Sequence, residues 1–96
     1  MPTFEVTARF WLDYHALTAE QRDAFKAAVR KLVEDLGARA IRPGLRVKGV
    51  RGARAIFELT WAPDGRATFQ FGDPLRAGEP HIIWRRIGAH AIRARP

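Results

Sequence analysis

The residues most able to do chemistry lie in the second half of this 96-residue chain. Glu58 and Thr60 alternate along one segment, and Arg66, Thr68 and Gln70 along the next. A later segment, HIIWRRIGAH, ends on His90. An arginine presents a planar fork of donors that matches phosphate oxygens. Histidine titrates near neutrality and can give or take a proton, and a carboxylate can be its partner or orient its ring. Arg66, His90 and Glu58 are therefore the candidate catalytic set, acting on a phosphorylated polyanion, with RNA as the expected ligand. Gln70 and His81 are possible additions on the same strands. His81 starts its strand beside a polar stretch and is expected to be a solvated edge residue, and His15 has no visible partner. Three histidines without an i,i+4 pair, in a chain lacking cysteine, do not make a metal site. No metal or cofactor is expected.

The strands must bring these residues together, and the turn between the first two proposes how. Ala62-Pro63-Asp64-Gly65 suits a type I turn with Gly65 at positive φ in a bulge. That register pairs Thr60 with Thr68, Glu58 with Gln70, Leu59 with Phe69 and Phe57 with Phe71. It puts the apolar side chains on one face and Glu58, Thr60, Arg66, Thr68 and Gln70 on the other. Residues 72–80, GDPLRAGEP, have loop composition. In the strand that follows, Ile82 and Trp84 alternate with His81, Ile83 and Arg85. Gly88 is expected to end it, leaving a basic tail.

The first half supplies the support. Phe4 and Val6 alternate with Glu5 and Thr7, as in a short strand with one buried face. A short helix is expected over 8–16, its stripe of Phe10, Tyr14 and Leu17 widened by Trp11 and Leu12. Thr18-Ala19-Glu20-Gln21 fits a capping box, and Phe25, Val29, Leu32, Val33 and Leu36 then form an amphipathic stripe. Gly37 is the expected left-handed stop. The two helices should pack as an antiparallel hairpin. In residues 38–54, arginines and Lys48 are interleaved with three glycines and a proline. This describes a basic arm tethered by Leu45, Val47 and Val50.

Charge separates the two halves. Residues 1–36 carry five Lys/Arg against six acids, whereas residues 37–96 carry twelve against four, which concentrates the net charge of +7 in the second half. Such a surface favours a polyanion or an acidic protein, with Arg46, Lys48, Arg51, Arg54, Arg85 and Arg86 as the expected RNA-binding residues. At this length a single domain over 1–96 is expected. No export signal and no apolar run of membrane-spanning length are visible, so the expected location is cytoplasmic, away from membranes.

Taken in order, the strand, the helical pair, the LRVKGV approach, the F-E-L-x-W strand, RATFQF and the closing Arg86-Ile87-Gly88-Ala89-His90 resemble the RelE/ParE superfamily of bacterial type II toxins. The resemblance covers nearly the whole chain. It implies an α+β fold: a short N-terminal strand, a two-helix hairpin, and a twisted antiparallel sheet of three to four strands packed on the helices. It also implies metal-independent, ribosome-dependent mRNA cleavage, or, as in the ParE branch, inhibition of DNA gyrase without cleavage. A third possibility is an inactive member acting as a binding protein. The partners implied are a cognate antitoxin from a neighbouring gene and mRNA on the ribosome. Arg66 matches the arginine that contacts the scissile phosphate in nuclease members, and His90 the position of a catalytic histidine or arginine. Glu58 falls where some members have a lysine. The chain departs from the pattern in having Ala89 where the signature has threonine, and no aromatic among Ile92, Arg93 and Ala94.

Overall fold

In the computed structural model, which describes residues 2–96, two helices pack on one face of a five-stranded mixed sheet. The strands are β1 (Thr3–Val6), β2 (Lys48–Gly49), β3 (Phe57–Thr60), β4 (Gly65–Arg76) and β5 (Glu79–Ala89), and the helices are α1 (Ala8–His15) and α2 (Ala19–Ala38). Strand order is β1-β5-β4-β3-β2. The expected α+β class holds, with one more strand than expected. The sheet is not wholly antiparallel, because β1 runs parallel to β5. The helical hairpin carries the chain from β1 to the far side of the sheet, and β5 returns to β1 last.

The helices start as their sequences require. Thr7 caps α1 by accepting from the Phe10 amide, and Thr18 and Gln21 form the reciprocal capping box of α2 at 3.1 and 2.8 Å. The stop is different from the one expected. Helix α2 runs past Gly37 to Ala38, and Arg39 takes the left-handed conformation at φ 59°. The cause lies in Asp35, whose carboxylate accepts from the backbone N, Nε and Nη2 of Arg42 at 2.8–2.9 Å. These bonds fold residues 39–42 back onto the helix. The side-chain bonds to Arg42 are the main reason the Asp35 carboxyl is held down at about 2.

Phe10, Phe25, Leu32, Leu59, Phe69, Ile82, Trp84 and Ile87 form the core between helices and sheet. Phe25 meets Trp84 edge-on at 5.1 Å, and Trp84 lies 5.2 Å from Phe69. Truncating Phe69 to alanine should cost about 3–5 kcal/mol. Phe4 and Val6 do not form the expected buried face: on the outermost strand they stay more than 40% exposed. Trp11 and Leu12 are also exposed, so the α1 stripe is narrower than its composition implies. The basic arm is ordered by a 3-10 turn (Pro43–Leu45) and by β2, with Leu45 and Val50 buried and Val47 packed against the core.

Two local expectations are corrected. The β3–β4 hairpin pairs Phe57 with Phe69, Glu58 with Thr68, Leu59 with Ala67 and Thr60 with Arg66, two residues from the expected register. Gly65 is not at positive φ. Its missing side chain serves the Trp61 indole, since a Cβ there would lie 2.6 Å from ring atoms. A slip of two preserves side-chain parity, so the polar and apolar faces separate as expected. Second, residues 72–80 are not a loop: β4 and β5 continue to Arg76 and Glu79, joined at Ala77–Gly78 with Gly78 at φ 76°.

Candidate functional site

The face of the sheet away from the helices carries Glu58, Thr68, Gln70, Arg85 and His81. A bulge in β5 shapes it. Thr68 pairs with Arg86 and Phe69 with Trp84, leaving Arg85 as the extra residue. The core spacing therefore shifts from Ile82 and Trp84 to Ile87, and two consecutive arginines serve the polar side.

Residues 90–96 are not a free basic tail. They form a 3-10 turn (His90–Ala94) that lies back across this face, with Ile92 buried and its Cγ2 close over Gly88. The Pro96 carbonyl accepts from the Thr68 hydroxyl at 3.1 Å and from Arg85 Nε at 3.1 Å. Arg85 also donates to Gln70 Oε1 at 2.6 Å.

Glu58 is 1% exposed beneath this cover. Its Oε1 lies 3.5 Å from Lys48 Nζ and its Oε2 2.7 Å from Arg93 Nε. The second contact is an ion pair out of hydrogen-bonding alignment, and both atoms are otherwise unpartnered among the described residues. Arg93 Nη1 also reaches Nε2 of exposed His90 at 2.6 Å. A guanidinium only donates, so Nε2 accepts and the ring proton of this arrangement sits on Nδ1. One arginine thus couples Glu58 to His90. Arg93 had no role in the sequence reading; its only advance signal was the three-residue spacing from His90 within a segment of arginines.

Arg66 lies at the same end of the sheet, paired with Gly88 on β5. Its Nη1 is folded onto the turn carbonyls of Gly65 (3.0 Å), Pro63 (3.3 Å) and Ala62 (3.4 Å). Asp64 of that turn accepts from the His90 amide at 3.4 Å. Arg86 is held by Asp13 of α1, with Nε to Oδ2 at 2.6 Å. Burial raises the Asp13 carboxyl, but the hydrogen bonds from Arg86 and the Ile87 amide, the charge of Arg86 and the Arg9 bond outweigh it, so the net direction is down. Of the other expected RNA-binding residues, Arg46, Lys48, Arg51 and Arg54 are exposed.

His81 sits at the opposite end of this face and is 3% exposed. Its Nε2 lies 2.7 Å from Glu5 Oε1 and its Nδ1 2.7 Å from Thr3 Oγ1. The carboxylate can only accept, so Nε2 donates, and the Thr3 hydroxyl satisfies Nδ1 whether the ring is neutral or charged. The ring lies over Gly72, where a Cβ would meet it at 2.9 Å. His81 is therefore a buried cross-strand tie, not a solvated edge residue.

No protein-family model matches the sequence, and no curated protein is detectably similar to it. Solved structures do match. The fold is that of the RelE/ParE-type toxins, a two-helix hairpin on a twisted sheet. A YoeB/ParE toxin from Agrobacterium tumefaciens superposes with a TM-score of 0.67 at 11% identity, over 92% of this chain and 98% of that one. YafQ in the E. coli DinJ–YafQ toxin–antitoxin complex gives 0.65 at 16% identity, over 94% and 93%. The RelB–RelE antitoxin–toxin complex from Methanococcus jannaschii gives 0.59 at 14%, over 90% and 89%.

Proposed function

We propose that this chain is the toxin of a type II toxin–antitoxin pair and cleaves mRNA on the ribosome without a metal. The observation that carries the proposal is the coupling of Glu58 to His90 through Arg93 on a basic sheet face, at the same end as Arg66. The toxin–antitoxin complexes among proteins of the same fold support it.

The chemistry asked of these groups is an internal transfer. A base removes the 2′-OH proton, and the 2′-oxygen attacks phosphorus. The bond to the 5′-oxygen breaks as an acid protonates that oxygen, leaving a 2′,3′-cyclic phosphate. His90 and Glu58 are the proton-carrying pair, in either order. Arg93 and Arg66 supply positive charge to the crowded phosphate. Substrate reaches Glu58 only when residues 93–96 lift from the sheet, a movement that transfers the Arg93 guanidinium from the Glu58 carboxylate to the incoming phosphate. The cognate antitoxin, encoded in a neighbouring gene, is an acidic or amphipathic protein suited to the basic surface.

Expression with and without that neighbouring gene, followed by mapping of mRNA 5′ ends, tests this. Wild type should create new ends that Arg66→Ala and His90→Ala lose. Identical maps from all three would end the nuclease proposal. The covered state of Glu58 favours a second reading, a non-cleaving toxin that inhibits DNA gyrase or a binding protein of this fold. A supercoiling assay unaffected by saturating protein would remove its gyrase form.

A further inference from the structure

Arg85 stands apart from the other arginines of the polar sheet face. Arg86 is held by Asp13 and Arg93 by Glu58, whereas Arg85 pairs with no aspartate or glutamate among the described residues. The β5 bulge turns it onto this face beside Arg86. Gln70 Oε1, 2.6 Å from Nη1, fixes its guanidinium. Arg85 Nε then converges with the Thr68 hydroxyl on a single oxygen, that of Pro96, at 3.1 Å from each. Two donors on one oxygen, one of them charged, make a cradle that a phosphate oxygen fills. Thr68 is fully buried, so a hydroxyl that loses the Pro96 oxygen needs another acceptor in its place.

This donor pair sits one strand from Glu58, which pairs with Thr68 across the sheet. Residues 93–96 span both positions. Arg93 Nε lies 2.7 Å from Glu58 Oε2, and the Pro96 oxygen, three residues on, fills the place between Thr68 and Arg85. Between them the Arg95 carbonyl accepts from Arg86 Nη1 at 3.1 Å. The movement that frees the Glu58 carboxylate thus frees the donor pair as well.

We propose that Thr68 and Arg85 form a subsite for the RNA phosphate neighbouring the scissile one, and that residues 93–96 fill it in the free protein as an internal competitor. Gln70 is a positioning residue that holds Arg85 in line. The place of the scissile bond rests on the mRNA-cleavage proposal; the phosphate chemistry of the subsite does not. RNA and the closing segment exclude each other, so binding displaces Arg93 and Pro96 together.

The test uses the full chain, ¹⁵N-labelled, and a 2′-O-methyl RNA pentanucleotide, whose blocked 2′-oxygens cannot attack phosphorus. Binding should shift the Thr68 amide and the Arg85 Nε–H and raise hydrogen exchange at Arg93, Ala94 and Arg95. Arg85→Gln should weaken binding about tenfold and lower its salt slope by about 1. Thr68→Val keeps the side-chain shape and should weaken binding about threefold. Unmoved Trp84 and Ile87 resonances would show both variants folded. A neutral methylphosphonate, moved along the oligonucleotide one linkage at a time, should at one position weaken wild type and leave Arg85→Gln unaffected. Wild-type affinity in Arg85→Gln, or residues 93–95 still protected at saturation, would overturn the proposal. So would inorganic phosphate that gives the same shifts at the same phosphate concentration. These shifts in a protein that creates no new mRNA 5′ ends would uphold the subsite and end the cleavage reading. New ends that Thr68→Val and Arg85→Gln leave unchanged would do the reverse.

Discussion

The polar face of the sheet holds a histidine at each end, and the two are treated in opposite ways. His81 is enclosed by neighbouring strands: Glu5 and Thr3 of β1 occupy both ring nitrogens, and Gly72 of β4 gives the ring its floor. His90 is exposed, and its Nε2 contact comes from Arg93, three residues along the same turn. One ring is fixed by residues nearly 80 positions away, the other by its own segment. A side chain locked from several strands holds the fold together. One held within its own short turn, beside a buried carboxylate, leaves its ring open at the surface.

Between the two ends, the larger expected effect comes from breaking the enclosed one. His81→Ala removes a buried ring and the partner of the half-buried Thr3 hydroxyl, and should destabilise by about 2–4 kcal/mol, measured by urea unfolding. A loss below about 0.5 kcal/mol would mean that the two ends do not differ as described.

Glu58→Ala attacks the other end through its buried member. It leaves Arg93 without its anion, but Arg93 keeps partial access to water and Lys48 is exposed. The expected cost is therefore smaller, about 1–3 kcal/mol. It should also raise hydrogen exchange at residues 92–95, whereas His81→Ala should leave those amides protected.

A pH scan separates the two ends further. Asp13 ties α1 to Arg86, and Arg86 Nη1 in turn donates to the Arg95 carbonyl at 3.1 Å. Since the folded-state carboxyl of Asp13 lies below its ordinary value, its contribution to stability is complete above the unfolded value near 4 and is lost as pH falls through the folded one. The Tm gap between wild type and Asp13→Asn should therefore be open at pH 7 and close in acid. A gap that stays constant down to pH 2 would mean that the Arg86 tie adds nothing.

How much of this was legible depends on where the determining contacts lie. The capping box of α2 is local, and Thr18 and Gln21 displayed it directly. The separation of polar and apolar strand faces needs only alternation, so it survived an error in the hairpin register. That error arose because Gly65 was assigned to a positive-φ turn, when its bare Cα instead accommodates Trp61. The helix end was missed because Arg42, seven residues beyond Asp35, overrides the glycine at 37. His81 was misjudged for the same kind of reason: its partners sit on β1, and no local pattern announces a parallel pairing across most of the chain. The placement of residues 90–96 was hidden too, although Ile92 among arginines was a hint that one side of the segment is buried.

The smallest expected change in stability completes the contrast. His90→Ala removes an exposed ring whose Arg93 contact is of surface type, so unfolding free energy should move by no more than about 0.5 kcal/mol. Arg93 keeps its ion pair with Glu58, and Ile92 keeps its seat over Gly88, so the turn has no reason to leave the sheet. If His90 handles protons in mRNA cleavage, the new 5′ ends should nevertheless disappear with this variant, giving a protein as stable as wild type and inactive. A His90→Ala protein that is as destabilised as His81→Ala would show that both histidines hold the fold together, and would remove the basis for assigning chemistry to only one of them.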